Sequence, residues 1–378
     1  MTTKTSRKPQ PRQKPQQAPG QHPTAWLESL SKPRREQAAG HLRVLEGKEA
    51  KLSAELRAER EKRKSAEREL ASRTSELDLV LQTRDKIEAR GLKPEKLRRS
   101  RTGNATAVIL ASDFHVGATV DPAEVDGANC YNVAIAKQRI EKLWQKSVRL
   151  VEFCQNLSHI DEVVLWLGGD VIESSLFRPE MAETNELGPA EAVLLVQDLL
   201  ASGIDFLRKE LRMPLLVATS NGNHARTEKE KRSHGAYNHS LEHILYSNLE
   251  RKFHGTPRVS FKVERGIQNW VDIRGFPIVF QHGDAMKYAG GVGGAAIPIR
   301  RAIGRWSQRK KAACWVLGHF HSYLSDWSFI CNGSLIGYDS YAMQIAAEWQ
   351  PPVQGFMVVG PPYGKLFDIP LFVSEDKA

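Results

Sequence analysis

Residues 107–115 read Ala107-Val108-Ile109-Leu110-Ala111-Ser112-Asp113-Phe114-His115. An apolar run of strand length, rich in Val, Ile and Leu, gives way within two residues to side chains of metal-ligand type. The same arrangement recurs four times. Residues 163–167 run into Gly168-Gly169-Asp170, 215–218 lead to Asn221-Gly222-Asn223-His224, 278–280 end at Gln281-His282-Gly283-Asp284, and 314–317 end at Gly318-His319-Phe320-His321. Segments 131–154 and 190–211 carry helical spacing of apolar positions, so this part of the chain reads as α/β. Adjacent strands of an open α/β sheet bring their carboxyl ends to one edge, where ligands bind, so the five polar clusters are expected to share one site. Residues 259–263 and 270–273 read as a hairpin around Arg265-Gly266.

The donor chemistry narrows the ligand. Asp, His and Asn offer oxygen and imidazole nitrogen without thiolate, which suits Mn²⁺ first, with Fe, Zn²⁺ or Ni²⁺ as other candidates. Asp113 and His115 are separated by one residue, as are His319 and His321. On a strand each pair would point the same way and could reach one ion. Glycines beside Asp170, Asn223, His282 and His319 permit tight turns and close backbone approach.

Taken in order, these pieces resemble the calcineurin-like metallophosphoesterase superfamily, whose pattern is D-x-H, G-D-x-x-D/E, G-N-H-D/E, a lone His and G-H-x-H. This chain supplies Asp113-Phe114-His115, Gly169-Asp170-Val171-Ile172-Glu173, Gly222-Asn223-His224, His282 and Gly318-His319-Phe320-His321, across residues 106–338. Asn332-Gly333-Ser334 is similar to the strand-turn that follows the last motif. The resemblance implies a four-layer α/β/β/α sandwich and two divalent metal ions. It assigns one ion to Asp113, His115, Asp170 and His321 and the other to Asp170, Asn223, His282 and His319, with Asp170 bridging. It makes His224 the group that protonates the leaving oxygen or stabilises the phosphoryl charge. The chain departs from the pattern at Ala225, where the family carries an acid that orients the histidine or its loop. Glu173 fills the second acidic position and is a candidate hydrogen-bond partner behind the ligands. His159, His234, His239, His243 and His254 fit no motif, and Asp284 is taken as a neighbour of the site or unrelated to it.

Around this core the charge is uneven. The net charge is +10 over 378 residues, but residues 1–100 hold 25 Lys and Arg against 14 Asp and Glu, which leaves the remainder at −1. Residues 1–35 read as a disordered basic tail rich in Gln, Pro and Lys. Residues 36–100 read as a charged helical arm, ended by Gly91 and Pro94 and followed by Arg98, Arg99 and Arg101, and 101–378 as the metallophosphoesterase domain. Leu45, Leu52, Leu56, Ala66, Leu70, Leu77 and Leu81 follow heptad-like spacing in pieces, with Glu59 and Arg63 interrupting, so a coiled-coil homodimer through 42–90 and a single solvated helix both fit.

A basic arm on a near-neutral body suits attraction to a polyanion, or serves solubility. Arg226 follows His224, and Arg300, Arg301, Arg305 and Trp306 lie in the basic segment 300–311, behind Gly290, Gly291, Gly293 and Gly294. Such a segment could track a phosphate backbone and stack a base, or form a solvated helix face. The expected activity is therefore a phosphodiesterase or nuclease acting on nucleic acid, DNA first. The alternatives are a phosphomonoesterase or nucleotide pyrophosphatase, and an idle nucleic-acid- or protein-binding scaffold. Four cysteines without CxxC spacing, no apolar run of membrane length and no apolar leader lead to the expectation of a cytoplasmic protein with reduced thiols and no membrane partner.

Overall fold

A computed structural model describes residues 25–88, 104–286 and 294–374. The chain divides into two compact units, Met1–Lys96 and Leu97–Ala378. In the first, a 3₁₀ turn at Ala25–Ser29 leads into helix α1, Lys32–Glu88. Pro33 sits in the first turn, where its missing N–H costs nothing, and the next 55 residues contain no proline. The ion pairs Arg63–Glu67 and Arg73–Glu69 span one turn at 2.9 Å each. Leu45, Leu52, Leu56 and Leu70 are exposed on this helix. The expectation of a tail to residue 35 is corrected at Ala25, because the turn and the proline start ordered helix sooner than composition suggests. Residues 1–24 and 89–103, with Gly91, Pro94, Arg98, Arg99, Arg101 and the boundary at 100/101, lie outside the described residues, as do Gly290, Gly291 and Gly293.

The second unit runs β1 (Asn104–Ala111), α2 (Val133–Cys154), β2 (His159–Leu167), α3 (Pro189–Leu211), β3 (Leu215–Thr219), α4 (Leu241–Lys252), β4 (Val259–Lys262), β5 (Asn269–Ile273), β6 (Phe276–Phe280), α5 (Ala296–Trp306), β7 (Cys314–Leu317), β8 (Leu324–Ser325), β9 (Phe329–Cys331), α6 (Ser340–Gln344), β10 (Val353–Gly360) and β11 (Gly364–Phe372). Two sheets form, in the orders β11-β10-β1-β2-β3-β4 and β5-β6-β7-β9-β8. Strands β1 to β4 are parallel, as are β6, β7 and β9.

Period-two alternation divides each strand between two cores. Ala107, Ile109 and Ala111 face a core built with α2, α3 and α4, whereas Val108 and Leu110 face Ile278, Phe280 and Val316 of the other sheet. On the far side of the second sheet, Trp315 and Leu317 pack with Ile299 and Ile303 of α5. Three cores between four layers make the α/β/β/α sandwich. A strand buried on both faces reads as a continuous apolar run, which is why β1, β2, β3, β6 and β7 stand out in the sequence. Each fully buried aliphatic or aromatic side chain contributes roughly 1.5–3 kcal/mol.

Two expectations change. The segments around 259–263 and 270–273 do not form a hairpin: β4 closes the first sheet beside β3, and β5 begins the second. The tight hairpin is β5–β6, turned at Arg274 and Gly275. The ligand-bearing strand ends also come from two facing sheets rather than from one. No helix among the described residues is long and apolar enough to cross a membrane, and all four cysteines are free thiols.

Candidate metal centre

The strands stop where the expected ligands begin. Asp113 and His115 lie past the end of β1, and His319 and His321 past the end of β7, so strand alternation does not aim them. Their backbones are left-handed instead. Asp113, His115, Asp170, His319 and His321 have φ of 56°, 52°, 50°, 72° and 53°. Asp and His tolerate this region better than most residues, yet five such positions in one site store strain that the surroundings must hold.

Cross-bonded loops hold it. Asp113 N donates to Gly169 O at 2.9 Å, His115 N to Asp170 O at 2.9 Å and Val116 N to Val171 O at 3.2 Å, zipping the loop after β1 to the loop after β2. Gly318 N donates to His282 O at 2.7 Å and joins the two loops of the second sheet. His319 N donates to Asp113 Oδ1 at 2.9 Å and joins the sheets. Gly169, at φ 86°, and Gly222 let the loops after β2 and β3 touch: a Cβ on Gly222 would run into Asp170.

Six of the seven expected ligands fall into two groups. Ligand atoms of Asp113, His115 and His321 lie within 4.8 Å of one another, and so do those of Asp170, His282 and His319. In the first group His115 Nδ1 donates to Glu173 Oε2 at 2.6 Å, which leaves Nε2 facing His321 Nε2 at 3.0 Å. In the second, His282 Nδ1 donates to Gly168 O at 2.8 Å, which leaves Nε2 2.9 Å from Asp170 Oδ2. Those two buried atoms pair as carboxylate and imidazolium and have no other hydrogen-bond partner. The Oδ1 of Asn223, the seventh expected ligand, is buried with no partner at all. Buried polar atoms are rarely left this way unless something else satisfies them. Oxygen and imidazole donors without thiolate fit divalent cations.

The electrostatics agree. Burial acts against the charged form of His115, but the hydrogen bond and charge of Glu173 outweigh it and lift the imidazole to about 9. Burial likewise opposes charge on His282, and Asp170 lifts it to about 10. Burial, aided by the positive charge of His282, takes His319 down to about 3, and burial beside His115 and His224 holds His321 well below its usual range. Asp113 is pushed by burial to about 6. Asp170 and Glu173 stay ionised despite burial because the surrounding histidines hold them low. Carboxylates are thus buried with protons on two histidines as their countercharge, and bound cations would take over that role.

A third group, His115, Glu173 and His224, is filled by hydrogen bonds. Glu173 Oε1 meets His224 Nδ1 at 2.8 Å while its other oxygen serves His115. One carboxylate therefore orients both a ligand and the candidate acid, and the methyl group of Ala225 leaves His224 held all the same. His224 N donates to Asp170 Oδ1 at 2.7 Å, and its Nε2 lies 4.0 Å from Asp170 Oδ2, so the free edge of the ring points at the ligands.

The expected substrate contacts separate. Arg226 donates to Asn223 O at 2.5 Å and lies 4.0 Å over the ring of Phe177, holding the Asn223 loop, and it lines the same cleft as Arg305 and Trp306. Arg300 pairs with Asp326 at 2.9 Å. Arg305 and Trp306 line a cleft of about 1100 Å³ that also reaches Asn223 and His282. Arg301 is exposed and is not among the residues lining that cleft. Trp306 stacks on Trp315 at 5.3 Å, which occupies one of its faces. Asp284 pairs with Lys231 at 3.3 Å.

Sequence reading missed Glu242 and a polar network beneath Asp113. Glu242 is fully buried, accepts from Val171 N at 2.7 Å and Gly222 N at 2.6 Å, and is pushed by burial to about 8. Gln354 Oε1 accepts from Ser112 N, and Asn332 Nδ2 donates to Ser112 Oγ. Glu242 and Gln354 belong to no motif, whereas Asn332 lies in the strand-turn that the resemblance had pointed to. The only sequence signal for the first two was a polar side chain inside an otherwise apolar strand or helix face.

No family model and no curated protein matches the chain. Solved structures similar to it include a hypothetical protein from Pyrococcus horikoshii (12% identity, 72% of this chain and 89% of that one, TM-score 0.33). Vps29 from Entamoeba histolytica complexed with zinc is another (12% identity, 71% and 99%, TM-score 0.29). A predicted phosphoesterase from Streptococcus pneumoniae is a third (12% identity, 68% and 84%, TM-score 0.28). Independently of those matches, the layer order and the order of the ligand motifs in this chain are like those of the calcineurin-like metallophosphoesterases.

Proposed function

We propose that the chain is a binuclear-metal-dependent phosphoester hydrolase, and within that class a phosphodiesterase or nuclease acting on nucleic acid. The observation that carries the reading is the pair of buried donor groups at the strand ends, with Asn223 Oδ1 left without a partner and Asp170 Oδ2 and His282 Nε2 meeting only each other. Asp113, His115 and His321 would hold one ion, Asn223, His282 and His319 the other, and Asp170 both. Bound ions of this kind acidify a water and polarise phosphoryl oxygens.

The remaining steps belong to the side chains. Glu173 fixes His115 and His224 through their Nδ1 atoms. His224 then presents Nε2 to the site and delivers a proton to the leaving oxygen there. Asp113, Asp170 and Asn223 are kept from water by the crossing loops, so their orientation is set before substrate arrives.

The cleft supports a diester substrate. It is far larger than one phosphate group requires, and seven Lys or Arg against three Asp or Glu line it. Lys310 lies 4.0 Å over Trp270 on its wall, close to Arg305 and Arg309. Cationic and aromatic side chains beside a phosphate-cleaving centre suit a nucleic-acid strand. The exposed leucines of α1 suit pairing with a second copy, and the basic excess of residues 1–100 suits a polyanion.

The test is a metal-resolved activity screen of the full chain with Mn²⁺, Zn²⁺ or Ni²⁺ on single- and double-stranded DNA, bis-p-nitrophenyl phosphate and p-nitrophenyl phosphate. Asp170→Ala serves as the blank. Cleavage of DNA and of the diester ester is expected. Faster turnover of the monoester than of the diester transfers the reading to a phosphomonoesterase. Turnover of neither, in a chain without bound metal, leaves a scaffold.

A further inference from the structure

We infer that Glu242 positions the metal centre, its single carboxylate clamping the loop of Asp170 to the loop of Asn223. The inference rests on the metal-centre reading above. Glu242 lies in the first turn of α4 and is 0% exposed. Burial and the charge of Asp170 oppose its ionisation, yet both of its oxygens accept an N–H, the geometry of the ionised group. A carboxylate carried that deep is costly unless donors converge on it in this way. Here both donors are backbone amides: Oε1 accepts from Val171 N at 2.7 Å and Oε2 from Gly222 N at 2.6 Å. Val171 directly follows Asp170, and Gly222 directly precedes Asn223.

The start of α4 is itself fixed against the Asn223 loop. Leu241 N donates to Ala225 O at 2.9 Å, Thr227 N donates to His239 O at 2.9 Å, and Arg226 bridges Ser240. Ala225 and Glu242 are both fully buried, so this junction is closed to water. Two converging N–H donors demand two acceptor oxygens. Glutamine offers one, and its amide would face an N–H. Loosening either contact frees a loop that holds a buried ligand of the proposed centre, Asp170 or Asn223. Groups that orient metal ligands in this way shift affinity by about 10–100-fold.

The experiment is calorimetric titration of Mn²⁺ into the full chain and into Glu242→Gln, with folding followed by near-ultraviolet circular dichroism in chelator. We expect the folded variant to bind Mn²⁺ about 10–100-fold more weakly than the parent. We expect Glu242→Asp, which keeps two acceptors on a shorter stem, to recover part of the loss. A parent that loads while a folded Glu242→Gln loads as tightly overturns the clamp and leaves the proposed function standing. A parent that takes up no Mn²⁺ contradicts the metal centre and the clamp together. A measurement without substitution decides the matter if the variants do not fold. Amide exchange at Val171 and Gly222 in the chelated parent should be at least about 100-fold slower than at an exposed loop amide, and free exchange there overturns the clamp.

Discussion

The two halves of the candidate centre solve one electrostatic problem differently. Around Asp113, His115 and His321 the protein nearly satisfies itself: Asp113 takes Ser112 Oγ and His319 N, His115 takes Glu173, and His115 and His321 can share a proton between their Nε2 atoms. Around Asp170, Asn223, His282 and His319 it does so less fully: Asp170 Oδ2 and His282 Nε2 meet only each other at 2.9 Å, and Asn223 Oδ1 is buried without a partner. The first half can exchange an ion for a proton at little cost. The second sets a charged His282 against Asp170 Oδ2 and leaves Asn223 Oδ1 unsatisfied, at a cost of roughly 1–3 kcal/mol. The comparison teaches that the second half should hold its ion more tightly and lose more when a ligand is removed.

The largest expected effect comes from Asp170, the residue that the proposed function assigns to both ions. Asp170→Ala should lower kcat/KM on a diester by at least roughly 10⁴-fold, the upper end for losing an acid–base group, and abolish both binding events in a metal titration. His224→Ala should lower kcat by about 10²–10⁴-fold while both binding events survive, because His224 touches ligands without being one. The halves are then compared directly. His282→Ala should remove the tighter binding event and His321→Ala the weaker one, read by stepwise chelation followed by elemental analysis. The reverse order would break the comparison.

A pH series sharpens it further. His115 and His282 sit at about 9 and about 10 in the chain without metal, above their unfolded value, so the native state binds the extra protons. Their stabilisation is fully present below about pH 6.5 and is lost as pH rises through 9 to 10. The melting temperature in chelator should therefore fall over that window, whereas metal affinity should rise as the competing protons leave. A flat melting profile in chelator would contradict the protonated histidines. The smallest effect is expected from removing residues 1–96: hydrolysis of a small chromogenic diester should be unchanged, while DNA binding weakens and its salt dependence flattens.

Much of this site was readable before folding. β1, β2, β3, β6 and β7 are buried on both faces and so appear as uninterrupted apolar runs, each followed at once by its ligand residues. Legibility failed where position depends on distant chain. β4 has an alternating, half-exposed pattern, and nothing in Val259–Lys262 says which of two sheets it joins. Ligand direction came from left-handed backbone at Asp113, His115, Asp170, His319 and His321, a property of the crossing loops rather than of residue spacing. Glu242 acts through amides 71 and 20 positions away and leaves no local motif. Arg226 and Arg300 looked alike as charges in sequence, yet one braces the Asn223 loop and the other pairs with Asp326.

The central claim is that side chains from both sheets gather around two cations through Asp170. Metal stoichiometry by elemental mass spectrometry on the full chain loaded with Mn²⁺ tests it most directly. The account predicts two ions per chain in the parent and none in Asp170→Ala. A parent that stays metal-free, or an Asp170→Ala chain that retains both ions, would contradict it.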